Sequence, residues 1–158
     1  MTSVKIIAVL VENRPGVLFK VANMIRRRSF NIESITVGTV DHKDISRMTI
    51  TLHADDAIVE QLVKQLSKLI DVIEANVFTP EEVIARELAI IQLSPDVKVT
   101  TDTKVTQELR IVESSSESLT VELLGGPDVI DEFLQKIGES NVLSVARTGI
   151  TALPKRRN

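Results

Sequence analysis

The sequence predicts an α+β protein of two successive modules, each of β-α-β-β-α-β order. Three observations lead there. Over the first 79 residues, strand-type runs and amphipathic helical stripes follow one another in that order. A short polar linker, Thr79-Pro80-Glu81-Glu82, comes next, and the chain beyond it closes with a strand, a helix and a strand. The charge balance shifts at the same place: residues 1–79 carry 10 basic and 9 acidic side chains, whereas residues 80–158 carry 9 and 13. The expected domains are therefore 1–79 and 80–158.

The first module reads element by element. From Val4 to Glu12 both alternating faces are apolar, which suits a central strand. Asn13-Arg14-Pro15-Gly16 breaks the run. Val17, Leu18, Val21, Ala22 and Ile25 then recur at helical spacing, to about Arg28. Asn31 to Val40 is rich in strand formers, and Asp41 to Asp44 is a polar turn. In Ile45 to His53, Met48, Ile50 and Leu52 alternate with Arg47, Thr49 and Thr51. Asp55-Asp56 opens a helix whose stripe is Ile58, Val59, Leu62, Val63, Leu66, Leu69 and Ile70. Asp71 to Phe78 is a last strand, with Ile73, Ala75 and Val77 on one face. Two helices of this length cover one face of a four-stranded antiparallel sheet, the ferredoxin-like arrangement.

The second module begins with a strand over Val83 to Leu93. It ends with a strand over Leu119 to Leu124, a helix over Pro127 to Ile137 and a strand over Val142 to Leu153. Pro127 suits the first turn of that helix, where its missing donor costs nothing. Between them, Asp96 to Leu109 mixes two periods: Val97 and Val99 alternate like a strand, and Val105 and Leu109 are spaced like a helix. A helix there would make the second module repeat the plan of the first.

Composition narrows the function. The formal net charge is −3, without the basic stripe of a general nucleic-acid binder. Tyr and Trp are absent and Phe occurs four times, so stacking on bases or sugars is not the expected mode of recognition. With no cysteine there is no disulfide framework, thiolate zinc site or cysteine nucleophile. The opening MTSVKIIAVLVENRPG has too short an apolar run to span a bilayer and lacks the basic start of a signal peptide. The expected location is the cytoplasm.

Catalytic patterns are not recognisable. The sequence has no Gly-rich phosphate loop, and His42 and His53 lack ligand spacing. Ser114-Ser115-Ser116 reads as a solvated turn, and Asp55-Asp56 and Glu81-Glu82 as helix starts. Neither a catalytic site nor a metal site is expected.

Asn13-Arg14-Pro15-Gly16-Val17-Leu18, between the first strand and first helix, is the more informative segment. A helix N-terminus offers unpaired amides and a partial positive charge to a carboxylate. Gly16 admits close approach to the backbone, and the Asn13 amide could meet an ammonium group. On spacing alone, an ordinary capping turn accounts for the same residues.

The module with its ENRPGVL turn resembles the ACT domain, a small sensor of amino acids. NIESITVGTVD at 31–41, SRMTI at 46–50 and KQLSKLIDV at 64–72 narrow the resemblance to the small regulatory subunit of acetohydroxyacid (acetolactate) synthase. RELAIIQL at 86–93, LTVELLGG at 119–126 and VARTGITAL at 145–153 extend it over nearly the whole chain, most weakly at 96–112. The resemblance implies a homodimer joined through its ACT domains into one continuous sheet, with valine bound at the seam. Asn13, Gly16, Val17 and Leu18 would hold the effector from one subunit. Asn31 and Ile32 would reach it from the partner. It further implies a large catalytic subunit as partner, which carries thiamine diphosphate, magnesium and FAD, while this chain carries no cofactor. The alternative is a stand-alone amino-acid-binding regulator of another enzyme.

Overall fold

The structure, a computed structural model, describes residues 2–40, 44–99 and 108–156. The described residues fall into two compact units: Met1–Ala85 with Ile150–Asn158, and Arg86–Gly149. In the first unit the order is β1 (Ser3–Glu12), α1 (Val17–Arg26), β2 (Ile32–Thr39), β3 (Ile45–Ala54), α2 (Asp56–Leu66) and β4 (Val72–Phe78). The sheet runs β2-β3-β1-β4, all neighbours antiparallel, with β1 central and β2 at an edge.

The two apolar faces of β1 go to different partners. Ile7, Val9 and Val11 lie under Val17, Val21 and Ile25 of α1 and Val59, Leu62 and Leu66 of α2, together with Met48, Ile50 and Leu52 of β3. On the reverse face, Ile6 packs with Val83, Ile150 and Ala152. Ile150 and Ala152 belong to the chain's last segment, where β9 (Thr151–Pro154) pairs with β5 (Val83–Leu93). Thr36 Oγ1 donates to the Ile150 carbonyl at 2.7 Å, which fastens that segment to β2.

The second sheet runs β6-β7-β5-β8, the same order as the first with its members renumbered. Its strands are β5, β6 (Leu109–Ser114), β7 (Leu119–Gly125) and β8 (Val142–Arg147). One helix, α3 (Pro127–Ile137), contributes Ile130 and Phe133 to a core with Ala89, Ile91, Leu93, Val121 and Leu123. Arg147 of β8 reaches both Glu87, which is almost fully buried, and Asp131 of α3. The helix expected between β5 and β6 falls largely on residues 100–107, outside the described residues.

Five expectations need correction. The helix α1 ends at Arg26, because Ser29 takes a left-handed φ of 60° that closes the turn into β2. Ile73 does not share a face with Ala75 and Val77. A register shift opposite Leu10 and Val11 places it outside the ladder at 55% exposure, and Val72 pairs with Val11 instead. The run from Val142 to Leu153 is two strands, broken where Gly149 takes a φ of 81°. The segment after the break packs with the first unit, so the division at 79/80 is not where the chain's contacts divide. Finally, Pro80–Glu82 is a 3₁₀ turn rather than an open linker, closed by a capping box between Thr79 and Glu82.

A buried ammonium anchors the start of the sheet. The Lys5 side chain is 7% exposed and bonds Asp56 at the start of α2. That hydrogen bond, with the Lys5 charge, holds the Asp56 carboxyl below its ordinary value of 3.8. A depressed carboxyl stabilises the fold above its unfolded value and loses that contribution as pH falls through the folded one. Asp56→Asn should therefore lower the urea midpoint at pH 7, and the two proteins should converge in acid well below pH 3.8. A constant gap across that range would exclude the linkage. In the core, Leu62→Ala removes a fully buried side chain and should cost about 2–5 kcal/mol of unfolding free energy in denaturant titration.

Candidate functional site

The turn between β1 and α1 is built by its neighbours. At the end of β1, the Glu12 amide donates to the Asp71 carbonyl at 2.9 Å and the Asn13 amide to the Asp44 carbonyl at 2.7 Å. The first bond ties the turn to the start of β4, the second to the turn before β3. Arg14 folds back on Glu12, with Nε 3.0 Å from Oε2. Gly16 then takes a φ of 85° as the residue before α1, a left-handed conformation that glycine adopts without strain. A Cβ there would meet nothing within 4 Å, so backbone geometry rather than space demands glycine.

The helix start is chemically open to an anion. Gly16 has no side chain with which to cap the first-turn amides, and no acidic residue stands in the first turn of α1. The amides there keep the partial positive charge of a helix N-terminus. Lys20, one turn further in, is paired with Asp71, its Nζ 2.6 Å from Asp71 Oδ2.

The six candidate residues occupy two places. Asn13, Gly16, Val17 and Leu18 lie together at one end of the sheet. Val17 is buried in the core, whereas Asn13 and Gly16 are exposed and Leu18 is 44% exposed. Asn31 is exposed just before β2, and Ile32 begins that strand, half-buried opposite Leu52. Glu12 pairs with Ile45 at the other end of β3. Seven residue steps along β3, from Ile45 to Leu52, separate the two groups, about 23 Å at the rise of a strand. Within one chain, Asn13 and Asn31 do not meet.

Other candidates resolve simply. His53 Nε2 lies 2.8 Å from Glu33 Oε1, a cross-strand pair that linear spacing does not reveal; His42 lies outside the described residues. Ser115 Oγ accepts from the Glu117 and Ser118 amides, as a turn serine does. Among the described residues no group of three or more His, Asp or Glu side chains could hold a metal ion, and no helix is long and apolar enough to cross a membrane. Lys20 and Asp71, which flank the turn, were not legible in advance. They lie 51 residues apart, and although Asp71 falls within KQLSKLIDV, no sequence pattern pairs it with Lys20.

Two successive α+β units, the first a β-α-β-β-α-β module with a glycine turn before its first helix, are the architecture of ACT-containing small subunits. Comparison with known families agrees. Residues 7–74 match the AHAS small subunit-like ACT domain, and residues 86–156 match the family described as the small subunit of acetolactate synthase. A probable acetolactate synthase small subunit from Archaeoglobus fulgidus is 44% identical over 150 residues, covering 93% of this chain and 94% of that one. The acetolactate synthase small subunit of Mycolicibacterium smegmatis is 36% identical over 154 residues, covering 94% and 89%. The crystal structure of the small subunit from Thermotoga maritima superposes with a TM-score of 0.83 at 32% identity, covering 99% of each chain. The chain belongs to the acetolactate synthase small subunit family.

The left-handed turn predicts a graded response. Gly16→Ala should lower stability by about 1–2 kcal/mol, and Gly16→Asn by less, because Asn tolerates that conformation better. Equal stability of Gly16→Ala and the parent in urea unfolding would show that the turn relaxes to another conformation.

Proposed function

We propose that this chain is the non-catalytic regulatory subunit of an acetolactate synthase, acting in branched-chain amino acid biosynthesis. Without effector it raises the activity of a large catalytic subunit; with valine bound it imposes feedback inhibition. Thiamine diphosphate, magnesium and FAD belong, on this reading, to that partner, and this chain binds none of them.

One observation carries the effector site. Asn13 and Asn31 lie at opposite ends of the same sheet, and β2 is an open edge strand. Antiparallel pairing of β2 with β2 of a second copy sets the start of one strand against the end of the other. Asn31 of one chain then approaches the Asn13–Leu18 turn of its partner. The amides after Gly16 meet the effector carboxylate, and an Asn side-chain carbonyl accepts from its ammonium group. The exposed Leu18 and half-buried Ile32 supply apolar surface for a branched side chain. A stand-alone regulator of another enzyme would not call for the second unit, whose match over 86–156 is to the same family as the first.

The test uses the holoenzyme. Asn13→Ala and Asn31→Ala should each abolish valine inhibition, with at least tenfold weaker valine binding by calorimetry, on the order of 1.4 kcal/mol. Activation of the catalytic subunit without valine should persist. Inhibition of both variants at the parent's valine concentration would remove the site assignment.

A further inference from the structure

We infer that Lys20 and Asp71 form a positioning pair that sets the geometry of the effector turn; the inference rests on the reading that this turn holds the effector. Asp71 grips both flanks of the segment from Asn13 to Gly16. Its backbone carbonyl accepts the amide of Glu12, the last residue of β1. Its side-chain carboxylate accepts from Lys20 Nζ at 2.6 Å, on the second turn of α1. The carboxylate is 9% exposed, whereas the Lys20 side chain is 51% exposed. A buried carboxylate requires a partner. The lysine that supplies it is drawn onto Asp71, and the helix start is drawn with it.

Backbone bonds also join the turn to α1: the Lys20 amide donates to the Gly16 carbonyl at 3.0 Å. The Val17 amide reaches the Arg14 carbonyl at 3.3 Å, a long bond within the turn itself, and Gly16 takes a conformation that only glycine adopts freely. Asp71 adds to these a direct link between the end of β1 and α1. The end of β1 and the first-turn amides are the two groups that the proposed site brings to the ends of one zwitterion. Lys20 has a second effect: it neutralises an anionic charge beside amides that must receive a carboxylate.

The experiment is inhibition and activation of the holoenzyme assembled with Lys20→Met/Asp71→Asn. This double variant leaves no lone buried charge, so its fold is retained where Lys20→Met alone would strand Asp71. The valine concentration for half-inhibition should rise about tenfold or more, while the effector-free activation stays at the parent's level. Lys20→Arg, which keeps the charged tether, should restore parent-like inhibition. Asn13→Ala serves as the reference. If the double variant is inhibited like the parent while Asn13→Ala is not, the pair positions nothing and the effector site stands. If Asn13→Ala is also inhibited like the parent, the effector site itself is wrong. A parallel loss of activation and inhibition in the double variant would make the pair a general fold contact and overturn the inference.

Discussion

The register of β1 is the constraint on which the rest of the first unit depends. Ile7, Val9 and Val11 face the helices, and Ile6 faces Val83, Ile150 and Ala152. A strand buried on both faces cannot slip by one residue without exchanging two well-packed sets of side chains. With β1 fixed between β3 and β4, its last residue, Glu12, is fixed opposite Ile45 and beside Asp71. The position of the β1–α1 turn is thus inherited from the core.

That inheritance explains how an exposed turn can present an ordered set of donors. The turn contributes little apolar burial of its own apart from Val17. Its order comes from the Asp44 and Asp71 carbonyls, each supplied by a turn from another part of the sheet. A site assembled this way is pre-organised, and pre-organisation reduces the ordering cost of binding a small ligand. The cost falls on backbone conformation at Gly16, where any residue with a Cβ would be strained.

Much of this was legible in the sequence, for definite reasons. Period-2 and period-3.6 patterns located β1 to β4, α1 and α2, because each of these elements has one face in a single continuous core. The apolar run of β1 marked a central strand. The same logic failed where pattern and pairing part company. Ile73 fits the alternation of β4 and yet lies outside, since a register shift cannot be read from one strand alone. The return of Ile150–Pro154 to the first unit was hidden because VARTGITAL reads as one strand unless Gly149 is given its left-handed φ. At the site, Asn13, Gly16 and Val17 stood in a recognisable turn. Lys20 and Asp71 did not, because an ion pair across 51 residues is a property of the tertiary fold.

The proposed division of the effector site between the two ends of one sheet would have a thermodynamic consequence. In the proposed dimer, a two-fold axis between paired β2 strands would make an isologous seam, and each pair of chains would hold two equivalent effector positions. Any ligand that binds the paired form better than the separate chains must favour pairing by mass action, and pairing must raise its affinity by the same factor. Association and sensing then become one equilibrium. A sensor built within one chain could report only through a change in its own shape. Divided across an edge strand, it reports through the strength and geometry of a seam, which a bound partner can read without touching the effector. On the proposed reading, that would be a physical reason for the separation of Asn13 from Asn31.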